Sequence, residues 1–330
     1  MILTLTILLA VIIAIAWAAF NAAYLVLAER RGAGVIQRRP GPNINGPFGL
    51  LQPPLDGIKL MAKQLIIPAG ADRFMYISAP VLVMCPAIMS FVALPYSDWL
   101  QAQNIDVGLL MVFAFASMGT MGTIFAGWSS HNKYSLMAAM RSVSQAVAYE
   151  IPMILTALTI TLMAGTTNLN AIVAQQSENF FHWNIFPLFG ETHNILMPFS
   201  FLIFFICSMA ETNRAPFDLG EAEGELVAGF HIEYGSMGFG LFFMGEYANI
   251  VIGATLATIF FLGGWSCPFG LFPGVWWFLI KLYAIIFTII WIRWTFPRTT
   301  IYGLLNLSWK ILIPASLVNL LLTAGLMKVF

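Results

Sequence analysis

The sequence predicts an all-α fold: a polytopic membrane protein of about eight transmembrane helices, with one amphipathic helix lying at the membrane interface. Three observations carry this reading. First, 59% of the 330 residues are hydrophobic and 9% are charged, against about 25% charged in a soluble domain, and the mean hydropathy is +0.83. Second, eight apolar runs approach or exceed the roughly 20 residues that a helical span requires. Third, Lys and Arg alternate between loops, as they do in spanning proteins.

The runs cover roughly 2–28, 76–97, 107–128, 136–165, 195–212, 237–263, 275–296 and 307–328. They read as one integral membrane domain over 1–330, with no internal repeat. The first run has no basic n-region and no small-residue cleavage site, so it reads as a retained span rather than a signal peptide. The loop at 29–74 holds Arg30, Arg31, Arg38, Arg39, Lys59, Lys63 and Arg73, whereas 98–106, 166–194 and 264–274 hold no Lys or Arg. Positive loops mark the cytoplasmic side. Both termini are therefore expected on the periplasmic side of a bacterial inner membrane.

Within the first loop, residues 52–66 read QPPLDGIKLMAKQLI. Pro53 and Pro54 suit a helix start. Leu55, Ile58, Met61 and Leu65 share one face, and Asp56, Lys59 and Lys63 the other. The segment is too short to span. It reads as an interfacial amphipathic helix, or as a loop helix packed on the protein.

Several classes are excluded or disfavoured. Net charge is zero, which argues against nucleic acid. Cys85, Cys207 and Cys267 lie far apart with no CxxC spacing, so the chain alone is not expected to hold an iron–sulfur centre. His131, His182, His193 and His231 are equally scattered, and no metal site is expected.

The chemistry concentrates at residues 210–249. Glu211, Asp218, Glu221, Glu223, Glu225, Glu233 and Glu246 fall there, seven of the chain's fifteen acids. Residues 212–236 read as an acidic cytoplasmic loop between spans. Glu150 lies in mid-span, two residues before Pro152, which should distort the helix and free backbone groups. Glu246 lies in mid-span too, and Glu211 closes the fifth run. A charge in hydrocarbon costs roughly 2.5–3.5 kcal/mol on insertion scales. Two mid-membrane carboxylates on different helices are what a proton relay requires, because a buried site brings both protonation states within reach. Neutral acids hydrogen-bonded for packing are the alternative. Glu221, Glu223 and Glu225 fit either a functional row or a solvated acidic loop. Arg293, near the end of its span, either serves a site or snorkels to the surface.

These segments match a known family. AERRGAGVIQRRPGPN at 28–43, GPFGLLQPPLDGIKLMAK at 46–63, RSVSQAVAYEIP at 141–152, AETNRAPFDLGEAEGELVAGFHIEYG at 210–235 and FFMGEYANI at 242–250 resemble the H subunits of the proton-translocating NADH:quinone oxidoreductases. These enzymes are respiratory complex I, and the mitochondrial counterpart of the subunit is NADH dehydrogenase subunit 1. The resemblance spans nearly the whole chain.

It implies a membrane subunit, without a complete active site of its own, that forms the quinone entrance and lower chamber and begins the acidic axis coupling quinone reduction to proton translocation. By motif position it implies that Glu150, Glu211, Asp218, Glu221, Glu223, Glu225 and Glu246 form that axis. Arg30, Arg39, Lys133, Arg141, Arg214 and Arg293 would line or steady it. The bound substrate would be ubiquinone or menaquinone. Flavin and iron–sulfur clusters would belong to partners. The partners implied are the terminal-cluster subunit, the adjacent quinone-site peripheral subunit and the small membrane subunits of the A, J and K types. The sequence departs from the family where PRTTIYGLLN stands for a run like PRxRYDQLM, with Thr300 for an Arg and Tyr302 for an Asp. Homologous subunits serve hydrogenase-, ferredoxin- or deazaflavin-linked pumps, so the electron donor stays open. From another class, a stand-alone proton-coupled transporter would suit the buried acids, but would usually carry internal repeats.

Overall fold

The computed structural model describes residues 2–177, 180–186, 196–220, 223–268 and 273–329. Among these there is no strand, as the sequence predicts. The helices are α1 (Ile2–Ile36), α2 (Gln52–Ala62), α3 (Arg73–Ala93), α4 (Gly108–Ser129), α5 (Lys133–Ala164), α6 (Leu169–Gln175), α7 (Met197–Glu211), α8 (Glu223–Leu226), α9 (Ser236–Phe261), α10 (Val275–Thr295), α11 (Ile301–Leu307) and α12 (Ile313–Val329). Among the described residues, seven stretches are long and apolar enough to cross a membrane: α1, α3, α4, α5, α9, α10 and the run from α11 through α12. The expected fifth span starts at residue 195, outside the described residues. Its described part is α7, an apolar helix of fifteen residues.

The first helix runs past the expected end at residue 28 to Ile36. Hydrocarbon length does not stop a helix; only its apolar character stops there. Glu29, Arg30 and Arg31 are consequently helical, and Glu29 continues the buried stripe of Ala14, Ala18, Asn21 and Leu25 at the i+3/i+4 spacing of one helix face.

Two prolines within spans, Pro152 and Pro80, are compensated by side chains of other elements. Pro152 cannot donate to the carbonyl of Ala148; Ser308 Oγ donates to that carbonyl at 2.5 Å, and α5 continues unbroken. Pro80 in α3 likewise frees the carbonyl of Tyr76, which accepts from Tyr234 Oη at 3.2 Å. The last span widens to a π-helical turn over Ser308–Leu312 just before Pro314, whose ring would clash in a regular turn.

Close backbone approach sets the centre of the bundle. A Cβ on Gly122 of α4 would lie 2.6 Å from Val83 Cγ2, and one on Gly245 of α9 would lie 2.7 Å from Val83 Cγ1. Small residues let α4 and α9 both close on α3, as helix packing in a bilayer favours. The larger core lies beside this contact and is aromatic and aliphatic, with Tyr149 of α5, Phe204 of α7, Phe260 and Phe261 of α9 and Phe278 of α10 fully buried. At the far end of α9, Lys281 of α10 donates to the carbonyls of Leu262, Gly264 and Ser266 at 2.6, 3.0 and 2.7 Å, satisfying groups that a helix end leaves open.

The amphipathic helix is shorter than the predicted 52–66. It ends at Ala62, with Lys63 extended. Ser236 Oγ donates to the carbonyls of Leu60 and Lys63 at 3.2 and 2.7 Å, fixing that end to α9. Leu55, Ile58 and Met61 are exposed, so the apolar face of α2 does not pack on the rest of the chain.

Candidate functional site

The site starts from Glu29, which sequence reasoning missed. Four ionisable side chains meet where α1, α9, α10 and the segment after α7 converge. Arg214 places its guanidinium 3.9 Å from Glu29 and 3.3 Å from Glu246. Arg293 forms an ion pair with Glu29. Tyr247 Oη donates to Glu29 at 2.5 Å, and Arg214 lies over the Tyr247 ring at 4.3 Å. The side chains of Arg214, Glu29 and Glu246 are only 3%, 8% and 9% exposed. Two acids and two bases balance formally. Balance of this kind is what lets charge persist inside a protein, since an unpaired buried ion is far costlier. Glu246 and Tyr247 come from one turn of α9, so a single helix supplies both an acid and the aromatic cover of its partner.

A cavity of about 50 Å³ adjoins the cluster, lined by Glu211, Glu246, Thr120, Thr123, Ser142 and Asn213 among others. That is room for roughly three waters at about 15 Å³ each. Its hydroxyl and amide lining offers the polar partners that water needs. Glu150 and Glu211 sit on α5 and α7, which pack against each other. Glu150 is half-buried on α5, held near the last span by Tyr149 Oη, which donates to the Leu304 carbonyl at 2.9 Å. Gln145 Nε2 donates to the carbonyls of Ala210 and Phe217 at 2.7 Å each, stitching α5 to the segment that carries Glu211 and Arg214.

The remaining predicted residues separate into other places. Asp218, 5% exposed, pairs with Arg298 at 2.9 Å. Glu225 lies at the surface, 68% exposed, with Arg141 at 2.6 Å. Arg30 pairs with Asp56 at 3.2 Å, joining α1 to α2. Arg39 is exposed and donates to Gln37 at 2.6 Å. Lys133 is exposed at the start of α5. These last two lie apart from the buried cluster. Glu221 and the side chain of Glu223 fall outside the described residues. Glu233 accepts from Asn132 at 2.8 Å. Among the described acids at 210–249, Glu246 and Asp218 are buried and Glu225 lies at the surface.

Outside the spans, Tyr234 stacks on Tyr76 at 4.1 Å and pins the loop before α9. Burial pushes its hydroxyl pKa up, with a hydrogen bond to Ser129 opposing and the charge of Tyr76 adding to the rise. It therefore serves as a neutral hydrogen-bonding group. The departure at Thr300 has a structural role: its hydroxyl accepts from Gly303 N and caps α11, while Tyr302 is 79% exposed. The three cysteines are free, and no group of metal-ligating side chains occurs among the described residues.

Fold and site together define a polytopic helical membrane protein with a charge-balanced network inside its transmembrane bundle. Residues 9–324 match the NADH dehydrogenase family. The chain is 69% identical to the H subunit of NADH-quinone oxidoreductase from Desulfotalea psychrophila, over 98% of this chain and 97% of that protein. It is 43% identical to the protein of the same name from Paramagnetospirillum magneticum, over 93% and 88%. It is also 43% identical to NADH-ubiquinone oxidoreductase chain 1 of Arabidopsis thaliana, over 93% of each. The chain belongs to the NADH dehydrogenase family.

Proposed function

We propose that this chain is the H subunit of a proton-pumping NADH:quinone oxidoreductase in a bacterial inner membrane, with both termini periplasmic. In that complex it forms a wall of the quinone chamber and the first acidic channel toward the proton-translocating machinery. The observation that carries the reading is the Glu29–Arg214–Glu246–Arg293 cluster, with a polar cavity that joins Glu246 to Glu211.

The geometry supports an entrance framed by α1, α2 and α9. Helix α2 is tied to α1 by Arg30–Asp56 and to α9 by Ser236, and turns an apolar face outward. An isoprenoid tail would pass along that face. The space beside the cluster within this chain is about 10 Å³, far smaller than a quinone head. The chamber therefore needs the terminal-cluster and adjacent peripheral subunits to complete it, and those subunits supply the electrons.

In this chain, Arg214 and Arg293 hold charge. An anion formed on the quinone competes with Glu29 and Glu246 for the two guanidiniums. A carboxylate that loses its guanidinium takes up a proton, because burial penalises the lone anion. Waters in the polar cavity would carry that proton between Glu246 and Glu211, and repulsion between Glu211 and Glu150 would pass the change onward. The test is purification of the tagged chain from its native membrane. Cluster-bearing subunits and NADH–quinone activity should accompany it. A chain that elutes alone and transports a solute with protons would refute the assignment.

A further inference from the structure

Below the charged cluster, on the side away from the Lys/Arg-rich loops, the packing changes character twice. Directly beneath Glu29 and Arg293 come Leu25 of α1 and Ile286, Ile289 and Ile290 of α10. Leu25, Ile286 and Ile289 are 5%, 2% and 3% exposed. The space they share with the cluster above is about 10 Å³, at or below the minimum for one water, so the aliphatic side chains leave no room for a water between them. One turn further, Tyr283 Oη donates to Asn21 Oδ1 at 2.9 Å, and Asn21 Nδ2 donates to the Trp17 carbonyl at 2.9 Å. Asn21 is 1% exposed. Trp17 then meets Tyr96 edge-on at 5.9 Å, and Tyr96 meets Phe278 at 5.3 Å.

Past this layer the molecule opens. A cavity of about 450 Å³ is lined by Ile13, Trp17, Tyr96, Trp99 and Leu279, among others. It reaches to within twelve residues of Glu29 along α1, about 18 Å at 1.5 Å per residue. No carboxylate or free amine lies on this line among the described residues. Lys281, two residues from Tyr283, spends its hydrogens on three carbonyls of the α9 end.

We propose that Leu25, Ile286, Ile289 and Ile290, backed by the Asn21–Tyr283 pair, form the proton seal of this subunit, and that the wide cavity beyond is a blind vestibule. The seal confines the buried acids to exchange with one face of the membrane. Its purpose rests on the proton-coupling reading above, but its existence does not. A proton needs a chain of polar partners, and Leu25, Ile286, Ile289 and Ile290 offer none between Glu29 and Asn21, whose backbones lie eight residues, about 12 Å, apart along α1.

The test is passive proton conductance of vesicles holding the assembled complex, without electron donor, after an imposed pH step. Leu25→Ser/Ile286→Ser should raise conductance about ten-fold or more, a barrier lower by roughly 1.4 kcal/mol. Ile13→Ser/Leu279→Ser, on the vestibule side, should leave it at the wild-type level. Wild-type conductance in the assembled seal variant would overturn the proposal. Should the seal variant not assemble, single cysteines decide in a chain carrying Cys85→Ser. A membrane-impermeant thiol reagent should label Leu279→Cys and spare Ile286→Cys; equal labelling of both overturns the seal. Because no turnover is involved, failure of the coupling reading would leave this result untouched, and the reverse.

Discussion

Replacing Glu29 by Gln tests whether the buried cluster is one charge-balanced unit. Glu29 meets both guanidiniums, with Arg293 in direct contact and Arg214 at 3.9 Å. At that distance and an effective dielectric near 20, the Arg214 attraction alone is about 4 kcal/mol before desolvation is counted. Removing one partner of a buried pair typically costs about 3–5 kcal/mol. Gln keeps an acceptor for Tyr247, so the expected loss is toward the lower end, with Arg293 deprived of its carboxylate and Arg214 left with Glu246. Two measurements follow on the purified complex: thermal stability of subunit association, and NADH–quinone turnover beside electron transfer to an artificial acceptor. Glu29→Gln should lower the first and strongly reduce quinone turnover, and leave transfer to the artificial acceptor intact. Restoring charge with Glu29→Asp should recover part of both. Wild-type stability together with wild-type quinone turnover in Glu29→Gln would refute the reasoning.

Other expectations follow from the same structure. A bulky replacement such as Ile58→Trp on the outward face of α2 should impair quinone reduction and spare the artificial acceptor; equal loss of both in an assembled complex would speak against an entrance. Lys281→Met leaves three carbonyls at the α9 end without their donor, at about 1–3 kcal/mol for each buried group left unsatisfied. The complex should lose thermal stability, read by calorimetry, with little change in the Michaelis constant for quinone. Thr300→Ala removes the α11 cap and should cost about 1 kcal/mol, a small shift measurable by the same scan. Ile58→Cys should react with an impermeant thiol reagent only from the cytoplasmic side; selective labelling from outside would reverse the topology.

Much of this was legible in sequence because a bilayer enforces simple rules. Apolar run length located the long helices, and the placement of Leu55, Ile58 and Met61 against Asp56 and Lys59 identified α2. What escaped has a physical cause. Hydropathy ends a span at its first charges, so by that rule Glu29 falls in a loop. Yet it sits four residues after Leu25 and eight after Asn21, on the buried face of α1. That spacing was the available signal. Nor does a one-dimensional run of acids say which basic residue each meets. Arg298 and Asp218 are eighty residues apart in sequence, and Ser308 reaches the carbonyl freed by Pro152 from 160 residues away. Such closures depend on tertiary packing, and no local pattern encodes them.

The central claim is that buried carboxylates of this chain carry the protons linked to quinone reduction. The most direct measurement is proton translocation per quinone reduced, with the assembled complex in sealed vesicles, comparing Glu246→Gln and Glu150→Gln with their Asp counterparts. Gln preserves shape and hydrogen bonding and removes the ionisable proton; Asp keeps the acid on a shorter arm. The account predicts that both Gln variants assemble but lose quinone-linked turnover and pumping together, while the Asp variants lose less. Wild-type rate and stoichiometry in both Gln variants, with the Asp variants the more damaged, would contradict it and leave these acids as packing groups.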